Sequence, residues 1–353
     1  MALFEITEND RKVYEEQLRD FLPDHIFDVH THVWLDEFFP PKPLAPGETS
    51  RTVSWPSLVA KDNSIEDLQE TFRLLLPGKK VDALMFSNGA RVKKANDYVS
   101  EASKKSGFPA LYFAAPEEDP DDVEKAIREG GFLGIKGYLS FSPEYLPVAE
   151  IRIFDFFPKP LLKRMDEMGA IVMLHIPRNG RLKDPVNLAQ IMEIKKDFPN
   201  IKLIIAHVGR AYCKFDIGNA FDTLDQEPTL LYDFTANCND DAIAEVIKHA
   251  GVKNVMFGSD MPILRMRTHR IVENNTYINL VPPKIYGDPK QDAHLREVSE
   301  EEAKKITFFL YEELLAFKRV SEQLKLSRQD IEDILCNNAI RICEEARKSI
   351  YGE

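Results

Sequence analysis

Five polar residues that could bind a metal ion close apolar runs along this 353-residue chain. They are His30, His32, His175, His207 and Asp260. Successive side chains on a strand alternate in direction, so the imidazoles of His30 and His32 should leave their strand on the same side. Neutral imidazoles and carboxylates are ligands that zinc and other borderline divalent ions prefer. One histidine alone is more often an ordinary strand-end residue, but the repeated pattern predicts a metal centre.

Eight short apolar runs alternate with helix-periodic stretches, which is typical of parallel strands joined by helical crossovers. The runs are Ile26–His32, Val81–Phe86, Ala110–Ala114, Gly134–Tyr138, Ile171–His175, Ile201–His207, Leu230–Phe234 and Val255–Asp260. A doubly wound sheet usually has a glycine-rich turn after its first strand, whereas this chain has His-Thr-His-Val-Trp there. The sequence therefore predicts an α/β protein with a (β/α)8 TIM barrel, whose strands all end on one rim.

The remaining segments are predicted to surround the barrel within a single domain that spans residues 1–353. Residues 1–24 should form an N-terminal helix that begins with Thr7 and Asp10 as a capping pair, and residues 25–295 should form the barrel. Residues 296–353 should form two long helices, Ser299–Leu324 and Ser327–Lys348, which we expect to wrap around the barrel.

Two connections are longer than an ordinary βα loop and should lie at the catalytic rim. The first, Trp34–Ser64, is rich in proline and aromatic residues, and we expect it to act as a lid over the substrate. The second, Leu264–His294, carries several arginines and the pair Asn274-Asn275, and it should extend over the same rim.

Composition restricts the partners of the chain. The formal net charge of −12 leaves no basic surplus for nucleic acid or an anionic membrane surface, so a small-molecule substrate is expected. Four cysteines without paired short spacing favour free thiols and a cytoplasmic location. We find no signal peptide and no stretch that could span a membrane. The two C-terminal helices could support a homodimer.

Several motifs resemble the amidohydrolase superfamily, in the order that the family shows. They are Phe27-Asp28-Val29-His30-Thr31-His32, Leu174-His175, Ala206-His207-Val208-Gly209, Phe257-Gly258-Ser259-Asp260-Met261-Pro262 and Asn338-Ala339. The nearest branch is the amidohydrolase-related group that includes aminocarboxymuconate semialdehyde decarboxylase and several lactone hydrolases. The resemblance implies a distorted barrel in which one metal is bound by His30, His32, His175 and Asp260. It also implies that His207 lies beside the metal and handles protons.

These residues suggest a hydrolytic mechanism. A divalent cation lowers the pKa of a bound water from about 15.7 toward about 7, which supplies a nucleophile at neutral pH. Asp260 could accept the water's proton and pass it to the leaving group, while His207 orients the water or polarises a carbonyl. Asp28 lies two residues before His30. It either supports the metal ligands or is only a polar residue at the start of the strand.

Lys136 raises the question of a second metal, because two-metal members of the superfamily carry a carboxylated lysine at the fourth strand. Many one-metal relatives instead have a further lysine three positions later, where this chain has Leu139. We interpret Lys136 as a structural or rim residue and predict one divalent ion, zinc, with manganese as the alternative.

Arginines near the strand ends suggest a carboxylated substrate, because guanidinium groups bind carboxylates through paired hydrogen bonds. Arg178 and Arg210 are the predicted substrate-binding residues, and Arg265 and Arg267 are further candidates that could equally be surface arginines paired with acids. Trp34 and Tyr138 either line a substrate pocket or only pack against neighbouring side chains.

Three functions are compatible with this pattern. The first is a metal-dependent hydrolase acting on an amide, ester or lactone of a small carboxylated molecule. The second is a metal-dependent decarboxylase or hydratase acting on an unsaturated or aromatic carboxylic acid. The third, a noncatalytic binding protein on the same barrel, is disfavoured by the intact set of candidate ligands.

Overall fold

All eight predicted strands are present in a computed structural model, which describes residues 3–38, 56–89, 93–286 and 292–352. Strand pairing is parallel throughout, in a two-stranded sheet of the first and second strands and a six-stranded sheet of the third to the eighth. The strands are β1 (His25–His32), β2 (Lys80–Phe86), β3 (Tyr112–Phe113), β4 (Gly134–Gly137), β5 (Ile171–Leu174), β6 (Lys202–Ile205), β7 (Leu231–Asp233) and β8 (Val255–Met256).

Backbone contacts join the two sheets at both of their edges. A parallel bridge between Met85 and Ala110 links β2 to the segment that leads into β3. Thr31 forms a second parallel bridge with Met261, and Val29 N donates to Phe257 O at 3.0 Å, so β1 is also joined to the β8 region. Each of the eight strands therefore has two neighbours, which is the arrangement of the predicted (β/α)8 barrel.

The register of β1 against β2 shifts between Asp28 and Thr31, which separates the two halves of this strand. Before the shift, the Asp28 carboxylate bonds with Ser259 and lies close to Glu313 of a surrounding helix. After it, the rings of His30 and His32 both contact the ring of Phe86, with centroids 5.1 and 4.6 Å away. The two histidines thus share a face, as predicted.

The connections between the strands are mostly helical. The helices are α1 (Glu8–Val13), α2 (Pro56–Val59), α3 (Ile65–Leu75), α4 (Lys93–Ser106), α5 (Pro120–Gly130), α6 (Lys159–Met168), α7 (Pro185–Asp197), α8 (His207–Arg210), α9 (Lys214–Ile217), α10 (Phe221–Leu224), α11 (Asp240–Ala250), α12 (Glu300–Ala303), α13 (Phe309–Leu324), α14 (Arg328–Glu332) and α15 (Asn338–Tyr351). Residues 14–18 and 333–337 form π-helical turns that extend α1 and join α14 to α15. Thr7 and Asp10 form the capping box that the sequence predicts for α1.

We expected the last helix to wrap around the barrel. Instead, this helix covers one end of the barrel. α15 contacts β1, β5 and β8, which lie on different sides of the ring. Asn338 Nδ2 donates to the carbonyls of Val252 and Val255, at 2.8 and 2.9 Å, just where β8 begins. The covered end is therefore the amino-terminal end of the strands, opposite the rim on which the candidate ligands lie.

The loop after β8 contains a small sheet that the sequence analysis left as irregular loop. Strands β9 (His269–Glu273) and β10 (Thr276–Val281) form an antiparallel hairpin, and β11 (Leu295–Glu297) pairs with β10. The turn consists of Asn274 and Asn275, both with positive φ, the conformation that a two-residue hairpin turn needs and that asparagine tolerates well. None of the described helices is both long enough and apolar enough to cross a membrane.

Candidate metal centre

The five candidate ligands converge at the carboxyl ends of the strands. One potential ligand atom each from His30, His207 and Asp260 lies within 4.8 Å of the others. His32 Nε2 lies 3.1 Å from Asp260 Oδ1, and His30 Nε2 lies 3.6 Å from the same oxygen. The carboxylate of Asp260 therefore lies close to the imidazoles of His30, His32 and His207, which are distant from it in the sequence.

His175 lies at the edge of this group. Its ring centroid is 5.3 Å from that of His207 and 4.6 Å from that of Tyr138. Its Nδ1 atom is buried without a hydrogen-bond partner among the described residues. The tightest grouping of ligand atoms thus includes His207, which the resemblance places beside the metal, and does not include His175, which it places among the ligands.

Hydrogen bonds donated by Nδ1 orient three of the imidazoles. Nδ1 lies 3.0 Å from Asp233 Oδ2 in His30, 2.9 Å from Ser87 O in His32 and 3.0 Å from Thr235 O in His207. Each of these partners is an acceptor, so in a neutral ring Nδ1 carries the proton and Nε2 keeps its lone pair. These three rings are therefore prepared to bind a cation through Nε2.

Burial keeps the cluster in the protonation state that metal binding requires. It lowers the pKa of His30 to about 4, although Asp233 opposes this effect, and it lowers the pKa of His175 and His207 as well. Burial alone would raise the pKa of Asp260, but the adjacent His32 Nε2 and the nearby His207 and His30 hold it below the ordinary value. At neutral pH the imidazoles of His30, His175 and His207 are neutral and the carboxylate of Asp260 is ionised.

Two of the converging residues have a strained backbone. His207 has φ of 57° and Asp260 has φ of 54°, in the left-handed region that non-glycine residues rarely occupy. Asp260 is held there by a hydrogen bond from its N to His30 O at 2.8 Å, and His207 by one from its N to Asp233 Oδ1 at 2.7 Å. Strain of this kind is concentrated at functional sites.

The sequence analysis missed Asp233, which supports this cluster from behind. It is fully buried at the end of β7 and bonds to both His30 and His207. Its burial would raise its pKa, yet the interactions with His30 and His207 lower it to about 2. A signal was available, because Asp233 is the single charged residue of the predicted run Leu230–Phe234. Asp28, by contrast, contacts no imidazole nitrogen through a hydrogen bond that the structure shows: its Oδ1 accepts hydrogen bonds from the backbone N of His30 and of Ser259, at 3.1 and 2.9 Å.

Lys136 is neither exposed at the rim nor bonded to a structural partner. Its side chain lines the cavity above the cluster, and its Nζ is buried without a hydrogen-bond partner among the described residues. Burial lowers its pKa to about 8, although Asp233 and Asp260 oppose the effect. Our interpretation of Lys136 as a structural or rim residue is therefore wrong about its position.

A cavity of about 680 Å³ opens above the cluster. Trp34, Tyr138 and Arg210 line it, as the sequence analysis anticipated. The lid hypothesis concerns mainly residues 39–55, which lie outside the described residues. Where the loop is described, Trp34 and Asn63 pair through their backbones at 2.9 and 3.0 Å.

The other candidate arginines have different surroundings. Arg178 is not among the described residues that line the cavity, and its Nε lies 3.3 Å from Asp184 Oδ1. Arg267 forms a two-pronged ion pair with buried Asp10, at 3.0 and 2.7 Å. Arg265 is buried near Thr71. Arg178 and Arg267 are therefore engaged in ion pairs within the protein.

A further part of the cavity wall comes from the hairpin β9–β10, which lies within the long connection that the sequence analysis placed over the rim. Arg270 and Tyr277 of the hairpin line the cavity beside Tyr212 and Phe309. The Tyr212 and Tyr277 rings meet edge to face with centroids 5.0 Å apart. Arg270 was noticed in the sequence only as one residue of a long loop.

The donor set fits a divalent metal ion. Three neutral imidazoles offer Nε2, one ionised carboxylate lies among them, and the unpartnered Nδ1 of His175 is a further nitrogen donor. Nitrogen ligands with a single carboxylate are typical of zinc and also suit other first-row divalent ions.

The sequence of the chain matches a known protein family. A family model described as Amidohydrolase matches residues 27–342. The chain belongs to the amidohydrolase family. Membership confirms the resemblance drawn from the motifs, and it identifies the chain as an enzyme of the amidohydrolase superfamily. No curated protein matches the sequence significantly.

Solved structures with low sequence identity share the amidohydrolase fold. A probable 2-pyrone-4,6-dicarboxylic acid hydrolase from Acinetobacter baumannii has a TM-score of 0.56 and 14% identity, over 90% of this chain and 99% of that chain. A zinc-bound amidohydrolase from Burkholderia multivorans has a TM-score of 0.54 and 12% identity, over 90% and 99%. A dihydroxybenzoic acid decarboxylase from a Polaromonas species, with bound manganese, has a TM-score of 0.50 and 14% identity, over 94% and 99%.

Proposed function

We propose that this amidohydrolase hydrolyses an amide, ester or lactone of a small carboxylated molecule with the help of one divalent metal ion. The observation that carries the proposal is the convergence of neutral imidazoles and an ionised Asp260 at the base of a cavity of about 680 Å³. A cavity of this size suits a small metabolite. His30, His32, His175 and Asp260 are the proposed ligands, with His207 within reach of the same ion.

A metal bound there would lower the pKa of a water molecule and polarise a substrate carbonyl. Asp260 accepts the proton of the attacking water and returns it to the leaving group. His207, whose Nδ1 is held by Thr235 O, presents Nε2 to the carbonyl or the water. Zinc is the proposed metal, by analogy with the Burkholderia structure, and manganese is the alternative.

The charges on the wall support an anionic substrate. Four basic side chains line the cavity, Lys61, Lys136, Arg210 and Arg270, against two acidic ones, Asp36 and Asp260. This local balance is opposite to that of the whole chain, whose net charge is −12. Arg210 is the substrate-binding arginine that we retain, and Arg178 is no longer proposed because it pairs with Asp184.

Decarboxylation is the second candidate. It is favoured by the aromatic lining of the cavity, which includes Trp34, Phe113, Tyr138 and Phe309 and would suit the ring of an aromatic acid. The protein as purified should be assayed for metal content and then with a panel of lactones, esters, amides and aromatic carboxylic acids. Water addition without carbon dioxide release supports the hydrolase, and carbon dioxide release without water addition supports the lyase.

The same assays should include the His30→Ala variant. We expect it to lose most of the bound metal and the activity together. A variant that retains full metal content and full activity would overturn the proposed site, whichever reaction the panel reveals.

A further inference from the structure

Arg210 and Arg270 have no carboxylate partner among the described residues, although the chain has 58 acidic side chains against 46 lysines and arginines. Other arginines nearby are paired: Arg178 with Asp184 and Arg181 with Asp216. Both unpaired guanidinium groups line the cavity. Charged side chains that remain unpaired at a cavity wall are available for a ligand of opposite charge.

Each of these guanidinium groups keeps an edge of N–H donors free for a ligand. Arg270 Nε donates to Asn279 Oδ1 at 2.8 Å and its Nη1 to Ala236 O at 2.5 Å, so Nη2 and the outer end of the group remain unused. Arg210 Nη1 donates to Pro177 O at 3.1 Å, which leaves Nε and Nη2. Two parallel N–H donors on one edge match the two oxygens of a carboxylate.

Aromatic rings hold Arg270 in place. Its guanidinium carbon lies 4.9 Å from the ring centroid of Tyr212, 4.5 Å from that of Tyr277 and 4.4 Å from that of Phe309. A guanidinium fixed between rings and two neutral oxygens loses little further freedom when it binds a ligand. The same rings give this part of the cavity flat apolar surfaces, against which a planar ligand can pack.

We propose that Arg270 is a specificity-determining residue which, together with Arg210, binds the carboxylate of a planar aromatic or conjugated substrate. The substrate's ring packs against Tyr212 and Tyr277, and its reacting group is directed toward the imidazole cluster. This inference rests on the proposed function, since it names the substrate class of the same site. It assigns the hairpin β9–β10 the task of selecting that class.

The test is the affinity of purified, metal-loaded protein for benzoate, with benzamide as a neutral probe of the same shape, measured by titration calorimetry. We expect benzoate to bind at least ten-fold more tightly than benzamide. Arg270→Gln and Arg210→Gln should each weaken benzoate binding by about ten-fold to a hundred-fold, the usual effect of removing a hydrogen bond to a charged group, and leave benzamide binding nearly unchanged.

Arg181→Gln is the matched control. The Arg181 guanidinium lies 5.3 and 5.0 Å from the ring centroids of Tyr212 and Tyr277, but it pairs with Asp216 and is not among the described residues that line the cavity. It should leave the benzoate affinity unchanged. Equal affinities of wild type and Arg270→Gln, or an equal loss in Arg181→Gln, would overturn the proposal. If Arg270→Gln does not fold, Arg270→Lys replaces it, and an unchanged benzoate affinity in that variant is equally decisive against us.

The two proposals can fail separately. Arg270-dependent benzoate binding in a protein that hydrolyses none of the panel would leave this inference standing and overturn the hydrolase. Hydrolysis of uncharged esters at the same rate in wild type and Arg270→Gln, with benzoate no tighter than benzamide, would leave the hydrolase standing and overturn this inference.

Discussion

His30 Nδ1 lies 3.0 Å from Asp233 Oδ2, and both side chains are buried. The other oxygen of Asp233 accepts a hydrogen bond from the backbone N of His207 at 2.7 Å. One carboxylate at the end of β7 therefore fixes a ring that comes from β1 and a turn that follows β6. Carboxylates behind metal-binding histidines fix the tautomer of the ring and raise its basicity.

We predict that Asp233→Asn weakens metal binding by about ten-fold to a hundred-fold, the usual cost of losing such a partner. The substituted amide can donate to Nδ1, which would favour the ring tautomer that protonates Nε2. Competition with a chromogenic chelator measures the affinity. Asp225→Asn is the control, because Asp225 also accepts from a histidine Nδ1, that of His249 at 2.8 Å, but on the surface. Identical affinities in the two variants would exclude this role for Asp233.

The position of the cluster could be predicted from the sequence because it depends on local pattern and on one property of barrels. Apolar runs mark the strands, polar residues mark their carboxyl ends, and parallel strands bring those ends together. His30, His175, His207 and Asp260 were found in this way, whereas Asp233 was missed because Phe234 follows it in the predicted apolar run.

Features that depend on tertiary contacts could not be predicted. The register of β1 against β2 shifts between Asp28 and Thr31, and simple strand alternation gives no sign of this shift. Whether Arg178, Arg210 or Arg270 faces the cavity depends on which of them meets an aspartate in the fold. None of the residues of β9 is buried, so this strand lacks the apolar alternation by which half-buried strands are recognised.

Arg267 should contribute to stability and not to catalysis. Its guanidinium binds both oxygens of Asp10, which has no exposed surface, and so attaches the N-terminal helix to the segment after β8. We predict that Arg267→Met lowers the free energy of unfolding by about 3 to 5 kcal/mol, because it leaves a buried carboxylate unpaired. Chemical denaturation gives this value, and metal content should not change.

The control for Arg267 is Arg296→Met, which removes an equally two-pronged but exposed pair with Glu273, at 2.9 and 2.6 Å. It should leave the free energy of unfolding nearly unchanged. Loss of bound metal in Arg267→Met while the fold is retained would contradict the structural role.

The buried side chain of Glu313 should make the stability of the folded protein depend on pH. It is fully buried on α13, and neither carboxyl oxygen has a hydrogen-bond partner among the described residues. Burial, and then the nearby Asp28, raise its pKa well above the ordinary 4.5, although the backbone at Ala236 and Asn237 opposes part of the rise. The native state therefore keeps a proton that the unfolded chain loses above about pH 4.5, so this contribution to stability is complete at lower pH and is lost as pH rises.

Glu313→Gln removes this titration while it preserves the shape of the side chain. We predict that the variant gains stability relative to wild type as pH rises above 4.5, by up to about 1.4 kcal/mol per pH unit until the folded pKa is passed. Urea denaturation at several pH values measures the difference. A difference that stays constant between pH 5 and pH 8 would show that Glu313 is ionised in the native protein.

Gly258 lies in the segment before Asp260, at a position where a side chain does not fit. A Cβ atom at this position would lie 2.7 Å from His30 Cβ and 2.3 Å from Thr235 Oγ1, closer than such atoms approach. We predict that Gly258→Ala displaces His30 and reduces metal affinity by at least ten-fold, although it alters no ligand. Gly251→Ala is the control: its Cβ would have no atom within 4 Å, and its φ of +79° makes the substitution costly to stability only. Chelator competition and thermal unfolding of both variants separate the two effects, and a Gly258→Ala protein that binds metal as tightly as Gly251→Ala would mean that the barrel tolerates the added methyl group without moving His30.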